Sequence, residues 1–323
     1  MTAAMGITER CLAFVRDELG IAADFSAALT DVYEPLARGL VERGARQSAP
    51  LIVGVAGAQG SGKTTAAAIL RILLAELGVS VAAFSLDDLY LPLVDRERLR
   101  AANPRDPYQR VRGNPGSHDA ALGALTIERL RNADPASVTA LPAFDKSLHD
   151  GQGDRLPESA WPVFRGRPDA IIFEGWFVGA VRLPDEELAA HLAAAPEAAA
   201  FVARHDPTGE FTRAVNRRLD AYRPLFALLD VLVYLAVPSV QKIFEWRRLQ
   251  EQKLREKTGR GLTDAQVDEL VESFLPVTAV HGLRMLARPA AERLVIEIGD
   301  DHAPRPRRGA SANSEQRTAN SGQ

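Results

Sequence analysis

Residues 57–65 read GAQGSGKTT, which places one of only five lysines directly after three closely spaced glycines. The spacing fits G-x-x-x-x-G-K-[ST]. Gly57, Gly60 and Gly62 allow the backbone to bend, so that successive N–H groups of Ala58, Gln59, Ser61 and their neighbours point at phosphate oxygens. A helix beginning near Lys63 adds its positive N-terminal end and carries Thr65 in its first turn. Lys63 would reach the β- and γ-phosphates of a nucleoside triphosphate, and the Thr64 hydroxyl would meet Mg²⁺. The chemistry this implies is phosphoryl transfer. The plainer alternative is a glycine-rich turn between strand and helix.

Two acidic motifs could complete such a site. SLDDLY (85–90) follows an apolar run and sets Asp87 and Asp88 where a sheet's carboxyl edge would lie. One could accept a proton from a substrate hydroxyl while the other helps hold Mg²⁺; either could instead cap the next turn. IIFEGWF (171–177) puts Glu174 at the end of a hydrophobic run, where a carboxylate holds magnesium or its water.

Basic residues gather in three places. RDPYQRVRGNPGSH (105–118) carries Arg112 and His118, and FDKSLHDGQGDR (144–155) carries Lys146, His149 and Arg155. Cations on glycine-rich loops suit an anionic substrate, although a solvated charged loop would look the same. In EWRRLQEQKLREKTGRG (245–261) a helix bears Arg247, Arg248, Lys253, Arg255 and Lys257. It reads either as a lid that stabilises transferring charge, with Arg247 the preferred group, or as a helix laced with i,i+4 pairs such as Glu251–Arg255.

The elements that must position these residues follow from periodicity. LIVGVAG, VSVAAFS, DAIIFEG, LLDVLVYLAVP and AERLVIEIG read as buried strands. AAAILRILLAELG, residues 120–131, an Ala-rich stretch at 185–203, residues 239–257 and a segment after Thr263 read as helices, with Thr263 as N-cap. Residues 92–120 and 139–168 read as long irregular segments, a length that marks function or disorder. The predicted fold is α/β, a mostly parallel sheet flanked by helices. Its expected divisions are a helical extension at 1–48, a nucleotide-binding domain at 49–299 and a disordered polar tail at 300–323.

Composition narrows the classes. Of 323 residues, 46% are apolar and 25% charged, ordinary globular values, and net charge is −3. No field of one sign favours bulk nucleic-acid binding. No apolar run is long enough to span a membrane. Cys11 is the only cysteine, which excludes an intrachain disulfide and suits a cytoplasmic setting.

GAQGSGKTT, SLDDLY, RGNPGSHD, LPAFDKSLHDGQGDR, IIFEGWF and EWRRLQ occur in that order, and together they resemble D-glycerate 3-kinase, the plant-type glycerate kinase, and its microbial relatives. That family lies within the P-loop kinase group of phosphoribulokinase, uridine kinase and pantothenate kinase. The resemblance runs from about residue 50 to 299; RGNPGSHD and FDKS…GQGDR are its specific parts. It implies a P-loop NTPase fold, ATP and Mg²⁺ as cosubstrates and a glycerate-like anion as acceptor. It implies Asp87 as catalytic base, Thr64, Asp87 and the FEG glutamate Glu174 as the metal-holding residues, and Arg247 in the lid. Asp88, Tyr90, Arg112, His118, Lys146 and Arg155 would face the substrate. Competing readings are a GTPase, which lacks N-K-x-D here, a transport ATPase, which lacks L-S-G-G-Q, a non-catalytic ATP-binding regulator, and a kinase of a nucleoside, pantothenate-like acid or sugar phosphate.

Overall fold

A computed structural model of the protein describes residues 6–17, 25–259, 261–282 and 292–307. Six strands form the central sheet: β1 (Leu51–Gly57), β2 (Val81–Ser85), β3 (Ala170–Gly175), β4 (Val231–Ala236), β5 (Glu292–Ile298) and β6 (Pro304–Pro306). Their spatial order is β6-β5-β4-β1-β3-β2. All neighbours run parallel except β6, which returns antiparallel along β5. Every residue of β1 and β3 is buried, which is why both read as continuous apolar runs rather than alternating ones.

Side chains of β1 feed two cores. Val53 and Val55 point into one, with Ile69, Leu70 and Leu73 of the Lys63–Glu76 helix. Ile52 and Ala56 point into the other, with Phe84, Phe173 and Phe177. From β1 the chain crosses to β2 at one edge, and it later fills β4 and β5 on the other side. The switch in direction falls at β1, so the crevice for a ligand opens at the carboxyl ends of β1 and β3.

The described N-terminal helices are not set apart from this core. Cys11, Val15, Leu29, Tyr33 and Leu40 join the same cluster as the Lys63–Glu76 helix, and Arg10 pairs with Glu76. The expected tail at 300–323 is corrected at its start. Residues 299–303 form a tight turn, and Pro304–Pro306 pair with Ile296–Ile298 as β6. The remainder of the predicted tail, from 308, lies outside the described residues.

Two other expectations change. Leu93–Ala102, inside the segment read as irregular, is a helix. Its only buried residue is Arg96, so it has no apolar stripe to betray it. The Ala-rich stretch is two helices, Asp185–Ala193 and Pro196–His205, because Pro196 can open a helix but not continue one. Thr263 caps its helix as expected, through a capping box with Gln266.

Candidate active site

The glycine loop leaves β1 at Gly57 and enters the Lys63–Glu76 helix through Gly62, whose φ of 85° is left-handed. Gly60 is also left-handed, at 76°, and a Cβ there would stand 3.0 Å from Trp246 Cβ. A Cβ on Gly57 would stand 2.5 Å from the Ser61 hydroxyl oxygen. Glycine is therefore needed at 57 for space and at 60 for both space and conformation. Ser61 N–H donates to the Ala58 carbonyl at 3.1 Å and closes the turn. Buried Ser61 Oγ and Gln59 Oε1 have no partner among the described residues, as befits a cradle shaped for another molecule. Lys63 and Thr65 are half-buried in the first helical turn, and Thr64 is exposed at the loop's mouth.

Thr64 Oγ1 donates to Glu174 Oε1 at 3.1 Å across the carboxyl ends of β1 and β3. Glu174 is 9% exposed, and its Oε2 is buried without a partner among the described residues. A hydroxyl beside a carboxylate with one open oxygen is a donor set that fits Mg²⁺. Among the described residues no cluster of three or more His, Cys, Asp or Glu could hold a metal ion alone. Magnesium at phosphate sites ordinarily takes only one or two protein ligands, so these two residues fit it.

Ser85 ends β2 and caps the short turn 86–89. Its hydroxyl accepts the Asp87 N–H, and its own N–H donates to Asp88 Oδ2 at 2.8 Å. This capping box fixes both acids at the sheet edge. Tyr90 donates to Asp87 Oδ1 at 3.0 Å, and Lys146 Nζ donates to Asp87 Oδ2 at 2.6 Å. Burial would raise the Asp87 carboxyl, but Lys146, with Lys63 beyond it, holds it down to about 2. Asp88 moves the other way. Burial and the charges of Asp87 and Glu174 lift it to about 6, against the pull of the Ser85 N–H. The two neighbours therefore differ in protonation near neutrality: Asp87 is an anion across the physiological range, and Asp88 is partly protonated.

Residues 112–118 and 144–155 close over these acids. Tyr90 stacks on His118, with centroids 4.5 Å apart and planes at 23°, and meets Phe144 edge-on. The Arg112 guanidinium lies over both Tyr90 and Phe144 and donates to the carbonyls of Gly151 and Gln152. Asp119 caps the Ala120–Arg131 helix by accepting the Leu122 N–H. His149 meets Asp154 at 3.2 Å, away from Asp87. Arg155 donates to the carbonyls of Leu89 and Tyr90 and to Asp119. Its guanidinium ties the two loops together, with Nε, Nη1 and Nη2 each donating to the protein. Among the described residues, Lys146 is thus the cation that reaches hydrogen-bond distance of Asp87.

The charged helix Val240–Thr258 backs onto the glycine loop through Trp246 and Arg247. Arg247 pairs with Glu251 at 2.8 Å, Arg248 grips Asp268 with two bonds, and Arg255 reaches Asp264. Glu251 thus pairs with Arg247, not with Arg255, and two of the three arginines fasten this helix to Asp264–Val277. The side chain of Lys257 lies outside the described residues.

Two site residues had no counterpart in the sequence reading. His302, in the β5–β6 turn, reaches the Gly60 carbonyl with Nε2 at 2.6 Å and stacks on Trp246 at 4.1 Å. Tyr222, on the stretch before β4, binds His118 Nδ1 at 2.9 Å. Neither sits in a motif, and only tertiary packing brings them to the loops.

A parallel sheet with a phosphate cradle after its first strand, and acids on the next two strand ends, defines a P-loop kinase. No family model matches the chain. The chain is 31% identical over 251 residues to the uncharacterized kinase mug58 of Schizosaccharomyces pombe, spanning 77% of this chain and 87% of that protein. It is 31% identical over 229 residues to the chloroplastic D-glycerate 3-kinase of Arabidopsis thaliana, which is 70% of this chain and 46% of that protein, about half its length. The solved structure of D-glycerate 3-kinase from Cryptococcus neoformans superposes with a TM-score of 0.73 at 25% identity, covering 84% of this chain and 97% of that one. The chain belongs to this family of small-molecule P-loop kinases, the D-glycerate 3-kinase type.

Proposed function

We propose that the protein transfers the γ-phosphoryl group of ATP to the 3-hydroxyl of D-glycerate, giving 3-phosphoglycerate and ADP. The observation that carries this reading is the 2.6 Å contact between Lys146 and Asp87. It sets a flexible cation beside the carboxylate that must meet an acceptor hydroxyl. An acceptor with its own carboxylate a few bonds from that hydroxyl can take Lys146 from Asp87 and expose the base in the same movement. A nucleoside offers no such anion. The names of the Arabidopsis and Cryptococcus relatives point to the same acceptor.

Asp87 accepts the hydrogen of the attacking hydroxyl. The new bond joins that oxygen to Pγ, and the bond from Pγ to the β-bridging oxygen breaks. Lys146 holds the Asp87 carboxyl down to about 2 before the acceptor arrives, so Asp87 meets the hydroxyl as an anion, and it takes the proton late. That suffices for a loose, metaphosphate-like transition state. The glycine-loop N–H groups and Lys63 hold the phosphates, and catalysis is chiefly positioning and charge stabilisation. Thr64 and Glu174 would hold Mg²⁺, which supplies charge neutralisation at the phosphate oxygens when bound. Arg247, paired with Glu251 beside Gly60, is the group best placed to turn toward the phosphates.

The test is ADP release from Mg-ATP against D-glycerate, L-glycerate, uridine, pantothenate and ribulose 5-phosphate. Turnover confined to D-glycerate supports the reading. Turnover on another acceptor overturns the substrate but keeps the kinase. ATP binding with no acceptor anywhere in a widened screen returns the regulator reading.

A further inference from the structure

His118 is a buried histidine, 6% exposed, with a curious division of its two ring nitrogens. Nδ1 lies 2.9 Å from the Tyr222 hydroxyl and 3.4 Å from Ser117 Oγ. Nε2 is buried with no partner among the described residues. Which nitrogen carries the proton follows from the hydroxyls. Tyr222 is 1% exposed, and its oxygen already accepts the Gly116 N–H at 2.9 Å. Its one hydrogen must go somewhere, and His118 Nδ1 is the only acceptor the described residues offer it. Were Nδ1 protonated, both hydrogens would face one oxygen and the phenol hydrogen would be buried unbonded. Ser117 sets no tautomer, because its hydroxyl already donates to the Asn114 carbonyl at 2.8 Å and accepts the Gly113 N–H at 3.1 Å, leaving only a long 3.4 Å approach to Nδ1.

Nδ1 is therefore the acceptor and Nε2 bears the hydrogen. The ring nitrogens lie on different edges, so an Nδ1 edge fixed on Tyr222 turns Nε2 away from it. The ring face is held against Tyr90, whose hydroxyl bonds Asp87 at 3.0 Å. Phe177 meets the ring edge-on and limits its rotation. Burial pushes the imidazole down to about 3, so it stays neutral and keeps a single hydrogen. An N–H donor, nearly all buried, fixed one ring from the base and unpartnered among the described residues, is prepared for an acceptor oxygen that those residues do not supply.

We propose that Tyr222 locks His118 in its Nε2–H form, so that Nε2 is a fixed donor to an oxygen of the acceptor substrate beside Asp87. His118 touches the substrate and Tyr222 is a positioning residue acting through it. The inference rests on the kinase reading of the Asp87 site and adds a specificity element to it. A neutral N–H donates to a carboxylate or hydroxyl oxygen, but it would not reward a cationic group. A site built to donate at this point discriminates against acceptors that lack an oxygen there.

Two measurements test it. In the ¹⁵N spectrum of histidine-labelled, substrate-free protein, with His118 assigned by its loss in His118→Gln, Nδ1 must be of the unprotonated type and Nε2 of the protonated type. A protonated Nδ1 overturns the lock whatever the substrate proves to be. In kinetics, Tyr222→Phe keeps the ring but frees the tautomer. We expect its KM for D-glycerate to rise roughly tenfold, with KM for ATP unchanged. His118→Gln, which retains an amide donor, should keep more acceptor affinity than His118→Leu. Equal effects on both substrates, or no advantage of Gln over Leu, overturn the role in acceptor binding. Should the panel yield a different acceptor, the same comparison is made with that acceptor. The glycerate reading then fails while the donor stands or falls on its own result.

Discussion

Lys146 donates to Asp87 at 2.6 Å, although the two residues are 59 positions apart and lie on different elements. Asp87 belongs to the turn that ends β2. Lys146 directly follows a two-residue ladder in which Phe144–Asp145 pairs with Asp154–Arg155. The ladder exists because Gly153 lies under the Phe144 ring with a φ of 65°, where a Cβ would collide with that ring. The loop is thus a clasp that delivers one cation to one carboxylate.

Removing that cation should separate acceptor binding from chemistry. Lys146→Met is expected to raise KM for D-glycerate by about 10-fold or more, the loss of one charge-assisted contact. KM for ATP should hardly change. Glycerol, which lacks the carboxylate, should show no such penalty between wild type and variant. A matching penalty for glycerol would deny Lys146 its role toward the anion.

Asp87→Asn keeps the shape and the Tyr90 contact but loses the base. Its kcat should fall by about 10²–10⁴-fold, while ATP binding, measured by calorimetry, persists. An activity loss explained wholly by ATP affinity would remove Asp87 from the chemistry.

The pair Thr64 and Glu174 predicts a metal phenotype. Glu174→Gln retains the bond to Thr64 but not the charge, so the Mg²⁺ concentration giving half-maximal rate should rise several-fold. Titrating Mg²⁺ at saturating ATP checks it, and an unchanged requirement would place the ion elsewhere.

Asp88 gives a pH signature opposite to the usual one for a carboxylate. Its folded value of about 6 lies above an unfolded value of about 3.9, so the unfolded chain gives up the proton first. Ionised Asp88 therefore lowers stability above about pH 6, and the penalty disappears below about pH 4. Asp88→Asn, which keeps an acceptor for the Ser85 N–H, should be more stable than wild type by about 1–2 kcal/mol at pH 8, allowing for partial exposure. At pH 4 the two should agree. Urea unfolding at both values decides, and a variant less stable at pH 8 would assign the carboxylate a structural bond instead.

The sheet and its nucleotide loop were legible because their signals are local. A strand buried on both faces writes itself as LIVGVAG, and a phosphate cradle needs glycines at fixed spacing. Asp87, Glu174 and Lys146 were legible from motifs that carry them to strand ends or loops. Arg155 looked the same in sequence as Lys146, yet it closes on two carbonyls and Asp119. Nothing in spacing says whether a cation faces a substrate or its own backbone. The Leu93–Ala102 helix was hidden because it buries an arginine in place of an apolar stripe. Tyr222 and His302 were hidden because their partners lie 104 and 242 positions away.

His302 yields the last expectation. Its Nε2 donates to the Gly60 carbonyl, and its ring lies almost flat on Trp246, at 11°. The turn between β5 and β6 thereby braces the middle of the phosphate loop from the side opposite the acceptor loops. His302→Ala leaves the Gly60 carbonyl to water and uncovers Trp246, so the loop's N–H groups are held less firmly before ATP arrives. A site that must be ordered on binding loses affinity by that cost. KM for ATP should rise about 3–10-fold, with KM for D-glycerate and the melting temperature of the ATP-free protein little changed. His302→Gln, which can still donate but cannot stack as a ring, should fall between alanine and wild type. If alanine lowers the melting temperature and leaves KM for ATP alone, the turn serves the fold and not the nucleotide.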